Sequence, residues 1–132
     1  MKPFTTYGLK CSKKDEKIIV QRVNEYLKTL DRTMSKAKSK SMLDARLPFI
    51  LKHFYWNLNK GVGTWFELFV NEDIEGKYYN ESNKECGWII KVRIDLTHPC
   101  YEKQKTETFL LEVLKSTKFE FIIIEENDED LE

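Results

Sequence analysis

The sequence predicts an α+β fold in a single domain, residues 1–124, followed by an acidic C-terminal tail at residues 125–132. Apolar residues recur at helical spacing in the first 60 residues, whereas apolar and polar residues alternate beyond Gly63, as is typical of strands. With 41% hydrophobic and 13% aromatic residues, a chain of 132 residues can bury a sizeable core without disulfides or a structural metal. We therefore expect two N-terminal helices packed on a small mixed sheet.

The first helix is predicted over residues 13–30. Ser12 and Asp15 have the spacing of a capping box, and an amphipathic run follows them. Five apolar residues share one face of this helix: Ile19, Val23, Tyr26, Leu27 and Leu30. The residues before Ser12 are expected to form a short lead, and residues 31–41 an exposed helix or a mobile connector.

The second helix is predicted in the segment LPFILKHFYWNL. Ser41 and Asp44 repeat the cap spacing, and a broad apolar stripe follows at helical spacing. Pro48 marks either the start of the helix or a kink, and the two glycines after residue 60 end it. In this helix His53 would be partly exposed.

The first predicted strand is TWFELFVN. Its alternation places Phe66, Leu68 and Val70 on one face and Trp65 and Phe69 on the other, which implies burial on both faces. A short strand is also allowed at residues 77–80.

The clearest strand is predicted at residues 88–96. Its inward face carries Trp88, Ile90, Val92, Ile94 and Leu96. A helix over residues 100–116 and a strand over 118–124 follow it. Because strand, helix and strand is the spacing of a βαβ unit, we expect the two strands to be adjacent and parallel in one sheet.

The formal net charge is zero, but the charges are unevenly distributed along the chain. Residues 1–60 contain 14 Lys and Arg against 5 Asp and Glu, whereas residues 61–132 contain 8 against 17. Such an asymmetry determines which partners are attracted and which are repelled, and it says little about the fold.

The sequence contains no motif for catalysis, a cofactor or a metal ion. The glycines at 61 and 63 follow a predicted helix and precede a predicted strand, which is the reverse of the order in a nucleotide-binding loop. The chain has two histidines, and its three cysteines lack the paired spacing of zinc ligands. We therefore expect no enzymatic activity, no cofactor and no metal.

The cysteines and the N-terminus predict a cytoplasmic protein that does not engage a membrane. An odd number of cysteines without a CxxC pair favours a reducing compartment. Residues 1–10 lack the apolar core of a signal peptide, and no stretch approaches the roughly 18 apolar residues of a membrane span.

The segment Gly87-Trp88-Ile89-Ile90-Lys91-Val92-Arg93-Ile94-Asp95-Leu96 resembles the GW-x-V-x-IDL strand of some small bacterial immunity proteins, which neutralise the toxin of a neighbouring gene. The resemblance covers ten residues. It implies a cytosolic, non-enzymatic inhibitor with an α+β fold that binds one cognate toxin.

The first hypothesis for function is therefore an inhibitor or immunity-type protein that neutralises a basic, nuclease-type partner. Charge complementarity would steer the two proteins together, and aromatic side chains would anchor the contact. The predicted partner-binding residues are Trp65, Glu67, Glu72, Asp73, Glu75, Tyr78, Tyr79, Glu125 and Glu126. A phage-encoded inhibitor of a host nuclease would show the same features.

The alternative hypothesis is a small nucleic-acid-binding module that uses the basic segment 32–46. Cations in this segment would contact phosphates, and Tyr55 and Trp56 would stack on bases. The predicted contacts are Arg32, Lys36, Lys38, Lys40 and Arg46. The sequence pI of about 6.7 is lower than is usual for a self-contained nucleic-acid-binding domain.

Overall fold

The computed structural model describes residues 4–46, 52–57, 64–72, 76–78, 80–94, 108–113 and 119–127. They form five strands: β1 (Phe4–Lys10), β2 (His53–Asn57), β3 (Thr64–Val70), β4 (Trp88–Ile94) and β5 (Glu120–Asn127). Helices α1 (Glu16–Thr29) and α2 (Lys36–Arg46) lie between β1 and β2 in the chain, and residues 108–113 are also helical. The predicted α+β class is confirmed.

The five strands form one sheet in the order β2, β3, β4, β1, β5, and every neighbouring pair is antiparallel. β4 and β5 belong to the same sheet and run in the same direction, because both are antiparallel to β1. The prediction that they are adjacent is wrong, since β1 lies between them. The sheet is therefore antiparallel rather than mixed, and β4 and β5 do not form a βαβ unit of neighbouring strands.

β1 occupies the segment that the sequence predicts to be a short lead. The strand shows no alternation of apolar and polar residues in the sequence, because Thr5 and Thr6 are as deeply buried as Phe4 and Tyr7. Gly8 is needed for packing, since a Cβ atom there would lie 2.6 Å from the Sγ atom of Cys86. Small and polar residues thus form a central strand that apolar periodicity does not detect.

The first helix agrees with its prediction. Ser12 and Asp15 form the capping box, with the Ser12 backbone N–H donating to the Asp15 carboxylate at 2.8 Å. A 3-10 turn at Lys13–Asp15 leads into α1, which buries Ile19, Val23 and Leu27 against the sheet. Leu30 is exposed rather than packed.

α1 ends in a turn that directs the chain toward β2. Asp31 adopts a left-handed backbone conformation, with φ of 56°. The N–H groups of Asp31 and Arg32 donate to the carbonyls of Lys28 and Leu27, which is a Schellman motif with aspartate at the position usually held by glycine.

The predicted second helix is wrong: its C-terminal part is the strand β2, and the helix α2 lies earlier in the chain, at Lys36–Arg46. β2 pairs with β3 from His53 opposite Phe69 to Asn57 opposite Trp65. The rings of Trp56 and Phe66 stack with centroids 5.5 Å apart. A run of aromatic residues over five positions fits the period of a helix and that of a strand equally well. The cross-strand contacts with β3 favour the strand.

Both faces of the sheet are buried, as the pattern of β3 predicts. The first face packs on α1 and on the helical residues 108–113. From the sheet, this core contains Trp56, Phe66, Leu68, Trp88, Ile90 and Val92, and from the helical segment it contains Phe109, Leu110 and Val113. The second face holds a smaller cluster of Phe69, Cys86 and Ile89, with Leu43 of α2 packed against it. Trp88, Ile90 and Val92 are buried as predicted; the side chain of Ile94 and all of Leu96 lie outside the described part of the structure.

The C-terminal strand is longer than predicted. β5 continues to Asn127, so Glu125 and Glu126 belong to the sheet and not to a tail that begins at residue 125. In the segment 77–80, the described residues Lys77, Tyr78 and Asn80 are not in a strand.

Candidate functional site

Carboxylates of the predicted acidic surface line the edge strand β5. Glu120, Glu125 and Glu126 are exposed on this strand, and the side chain of Ile123 between them is 54% exposed. β5 pairs with β1 on one side, and in the described part of the chain it has no strand on its other side. A β-bulge opposite Thr6 and Tyr7 interrupts the pairing at Ile124. This edge combines exposed negative charge, one apolar side chain and strand backbone.

A second acidic region lies where β3 leads toward β4. Asn71 organises it: the buried side-chain amide donates to the carbonyls of Asn80, Asn83 and Cys86, and its oxygen accepts from the Asn80 N–H at 2.7 Å. Glu72 follows, half-buried, and pairs with Lys13 at 2.9 Å. This predicted contact residue is thus partly neutralised within the molecule.

Tyr78 lies near Glu72 and is 38% exposed, with the Lys84 ammonium 5.6 Å from its ring centroid. Tyr78 and Glu72 line the same small cavity of about 320 Å³ beside Cys11 and Gly87. The predicted contacts Asp73, Glu75 and Tyr79, and the side chain of Trp65, lie outside the described part of the structure.

Glu67, one of the residues predicted to bind a partner, is buried in the sheet rather than exposed at the surface. Its side chain is 2% exposed and accepts from His53 Nε2 at 3.0 Å and from Arg93 Nε at 3.3 Å. His53, predicted to be a partly exposed helix residue, is a buried strand residue instead. The two residues are 14 positions apart and meet because β2 pairs with β3.

Glu67 belongs to a polar row that crosses the second face of the sheet. In register, Tyr55 lies opposite Glu67, Glu67 opposite Lys91, Lys91 opposite Thr6, and Thr6 opposite Glu125. Burial raises the pKa of the Tyr55 hydroxyl above its ordinary value, the charge of Glu67 raises it further, and Arg93 partly offsets both effects.

Three residues on this face carry a buried polar atom that lacks a hydrogen-bond partner within the described part of the chain: Thr6 Oγ1, His53 Nδ1 and Asn57 Oδ1. Buried polar atoms are usually paired, so such a group requires an explanation. Because an ionised carboxylate only accepts, the 3.0 Å contact between His53 Nε2 and Glu67 is a hydrogen bond in which the imidazole donates. The sequence pattern does not reveal this group, because the segment that forms β2 also fits the spacing of a helix.

The basic segment closes the opposite edge of the sheet. The Ser35 N–H donates to the Tyr55 carbonyl, the Tyr55 N–H donates to Ser39 Oγ, and Arg32 Nε donates to the Asn57 carbonyl. Arg32 and two serines of the segment thus hold it against β2.

The cations of the segment differ in exposure. Lys36 and Lys40 are exposed, and Lys40 lies 4.0 Å from Asp44. The side chains of Lys38 and Arg46 are outside the described part of the structure.

The described cysteines are shielded thiols. Burial, followed by the charge of Asp15, raises the pKa of the Cys11 thiol to about 12, and burial also raises that of Cys86. Within the described residues, no three His, Cys, Asp or Glu side chains are grouped to hold a metal ion.

None of the helices described for this chain is long and apolar enough to cross a membrane. Comparisons with protein-family models, with curated proteins and with solved structures found no match.

Proposed function

We propose that this protein is a non-enzymatic inhibitor of the immunity type, which binds a basic, nuclease-type protein through the acidic edge strand β5. The observation that carries the proposal is that an eight-residue edge strand holds three exposed carboxylates, those of Glu120, Glu125 and Glu126. Negative potential along this strand attracts a basic partner and repels nucleic acid.

The backbone of β5 supplies a second source of binding. An edge strand presents N–H and C=O groups that can pair with an extended segment of another protein. Ile123 provides an apolar contact among the carboxylates, and a Lys-rich or Arg-rich strand of the partner would place its cations against Glu125 and Glu126. A basic extended segment is therefore the occupant that this edge fits best.

The region around Glu72 and Tyr78 extends the surface. Lys10 of β1 lies opposite Glu120 of β5 in the sheet register. Cys11 and Ser12, which follow Lys10, line the same cavity as Glu72 and Tyr78. The two acidic regions thus flank one end of β1. Because Lys13 pairs with Glu72, we assign the larger electrostatic contribution to β5.

The experiment is a binding and inhibition assay with the purified product of the adjacent reading frame. We expect a complex in gel filtration and loss of the partner's nuclease activity at equimolar ratio. The association rate should fall as salt rises, while the dissociation rate changes less.

Charge reversal locates the interface. Replacing both Glu125 and Glu126 with Lys should lower affinity at least tenfold. The matched control reverses Glu25 and Glu112, which are also exposed and change the net charge equally, and it should leave binding unchanged. An equal loss in both variants, or no complex with the wild-type protein, would contradict the proposal.

A further inference from the structure

The centre of the edge strand β5 is apolar. Phe121 packs against the core of the first face, and Ile122 and Ile124 pack against the cluster of the second face. Ile123 lies between these isoleucines and is 54% exposed. Aromatic and β-branched residues have high strand propensity, and their backbone lies on an edge that no strand covers within the described part of the chain. Residues 121–124 are therefore a template for pairing with a further strand.

Charged residues stand at both ends of this apolar run. Glu120 precedes it, Glu125 and Glu126 follow it, and all three side chains are exposed. On the neighbouring strand β1, Lys10 lies opposite Glu120, whereas threonines lie opposite Glu125 and Glu126. The strand thus presents three carboxylates, and the facing positions of β1 supply one ammonium.

The order of these residues is that of a self-complementary strand opposed by its own charge. Antiparallel pairing of β5 with a second copy, about a two-fold axis near Ile123, brings the two apolar centres together. The same arrangement places Glu125 and Glu126 of one copy beside Glu120 of the other. Paired strands lie about 4.8 Å apart, well within the Debye length of about 10 Å at 0.1 M salt. Like charges on paired strands are destabilising, so the glutamates oppose the contact that residues 121–124 favour.

The opposite edge of the sheet limits how many copies could join. Ser35, Ser39 and Arg32 hydrogen-bond to the backbone of β2, so this edge is covered. Each copy has one open edge among the strands that the structure describes. Pairing through β5 would therefore stop at two copies, because the dimer has only covered β2 edges on its outside.

We propose that β5 is a self-pairing edge and that its glutamates keep two copies of this chain apart. When their charge is neutralised or screened, two copies join antiparallel through residues 121–124 and form a closed dimer with one continuous sheet. This inference concerns a second copy of the chain and does not depend on the proposed inhibitor function.

Sedimentation equilibrium of a charge-neutral variant tests the proposal. Replacing Glu120, Glu125 and Glu126 with Gln should strengthen dimerisation at least tenfold relative to the wild type in 0.1 M salt. The matched control makes the same change in net charge at three other exposed glutamates, Glu81, Glu85 and Glu112, and should behave as the wild type does. Equal dimerisation of both variants, a β5 variant that stays monomeric, or open-ended aggregates in place of a dimer would overturn the proposal.

The wild-type protein provides a test that needs no substitution. At 1 M salt the Debye length falls to about 3 Å, so we expect its dimerisation to strengthen at least tenfold over 0.1 M salt. This measurement decides the matter even where a variant fails to fold, and no change with salt would contradict the role of the charges.

Two further measurements locate the contact. In the β5 glutamine variant, Ile123→Asp should restore the monomer, whereas Ile18→Asp, at a 44% exposed position of α1, should not. Hydrogen exchange of outward-facing β5 amides should slow at least tenfold in the dimer, because pairing gives these groups acceptors. Unchanged exchange at β5 in a dimer would show that the copies meet elsewhere.

Discussion

The two edges of the sheet differ in how their strand backbone is covered. At the β2 edge, Ser35, Ser39 and Arg32 hydrogen-bond to the strand backbone, so α2 and the turn before it cover this edge. At the β5 edge, the described residues include no such cover, and exposed glutamates precede and follow Ile123 along the strand. The β2 edge is covered by a helix and the turn before it, and the β5 edge carries charged side chains. Both are recognised ways of preventing uncontrolled strand pairing.

The basic segment 32–46 and the glutamates of β5 therefore differ in how they are used. Part of the basic segment 32–46 is used inside the molecule, where Arg32 and the serines of α2 close an edge. The carboxylates of Glu120, Glu125 and Glu126 on β5 are exposed. We therefore favour the acidic edge over the basic segment as the interaction surface.

The largest expected effect is next to the closed edge, on β3, in Glu67→Ala. This change leaves the buried His53 without its partner and removes an acceptor from Arg93, so we expect the free energy of unfolding to fall by about 3–5 kcal/mol. Glu125→Ala at the open edge should change it by less than about 0.5 kcal/mol. Urea unfolding of both variants measures the contrast, and comparable losses would show that the two edges do not differ in this way.

A smaller effect is expected when the cover of β2 is loosened. Ser39→Ala removes the acceptor of the Tyr55 N–H, a hydrogen bond of 2.9 Å, and should lower stability by about 1–2 kcal/mol. Ser41→Ala is the matched control, because it makes the same substitution at an exposed position of α2 and includes the same gain in helix propensity. If the two variants have equal unfolding midpoints in urea, the hydrogen bond does not secure the edge.

The stability of the protein should depend on the ionisation of Tyr55 at high pH. The pKa of Tyr55 is raised in the folded protein by burial and by Glu67, so the folded state binds its proton more tightly than the unfolded state does. Stability from this group is therefore fully present below pH 10 and is lost as pH rises beyond that value. In thermal unfolding between pH 9 and 11.5, Tyr55→Phe should lose less stability than the wild type, and parallel curves would contradict this.

The elements whose pattern is local were predictable from sequence. α1 combines a capping box with Ile19, Val23 and Leu27 on one face, and β4 alternates Trp88, Ile90 and Val92. In each case the signal lies within the element itself, and the burial of these residues confirms it.

The remaining elements depend on distant contacts. β1 is built from threonines and a glycine whose burial results from its place between β4 and β5. β2 is decided by its pairing with β3, because its aromatic residues fit a helix equally well. The group of His53, Glu67 and Arg93 comes from three strands, so only the sheet register brings it together.

A small effect on stability at the open edge is expected together with an effect on binding. Ile123 is 54% exposed, so Ile123→Asp loses part of its buried apolar surface together with the strand propensity of isoleucine, and should lower the free energy of unfolding by about 1 kcal/mol. The same change should weaken the complex with a basic partner, even though it adds negative charge, because it removes the apolar contact from the centre of the strand. Glu112→Asp, on the exposed side of the helical segment 108–113, is the control. Surface plasmon resonance of both variants separates the two contributions to the interface. Tighter binding of Ile123→Asp would show that charge alone recruits the partner and that the strand itself is not part of the contact.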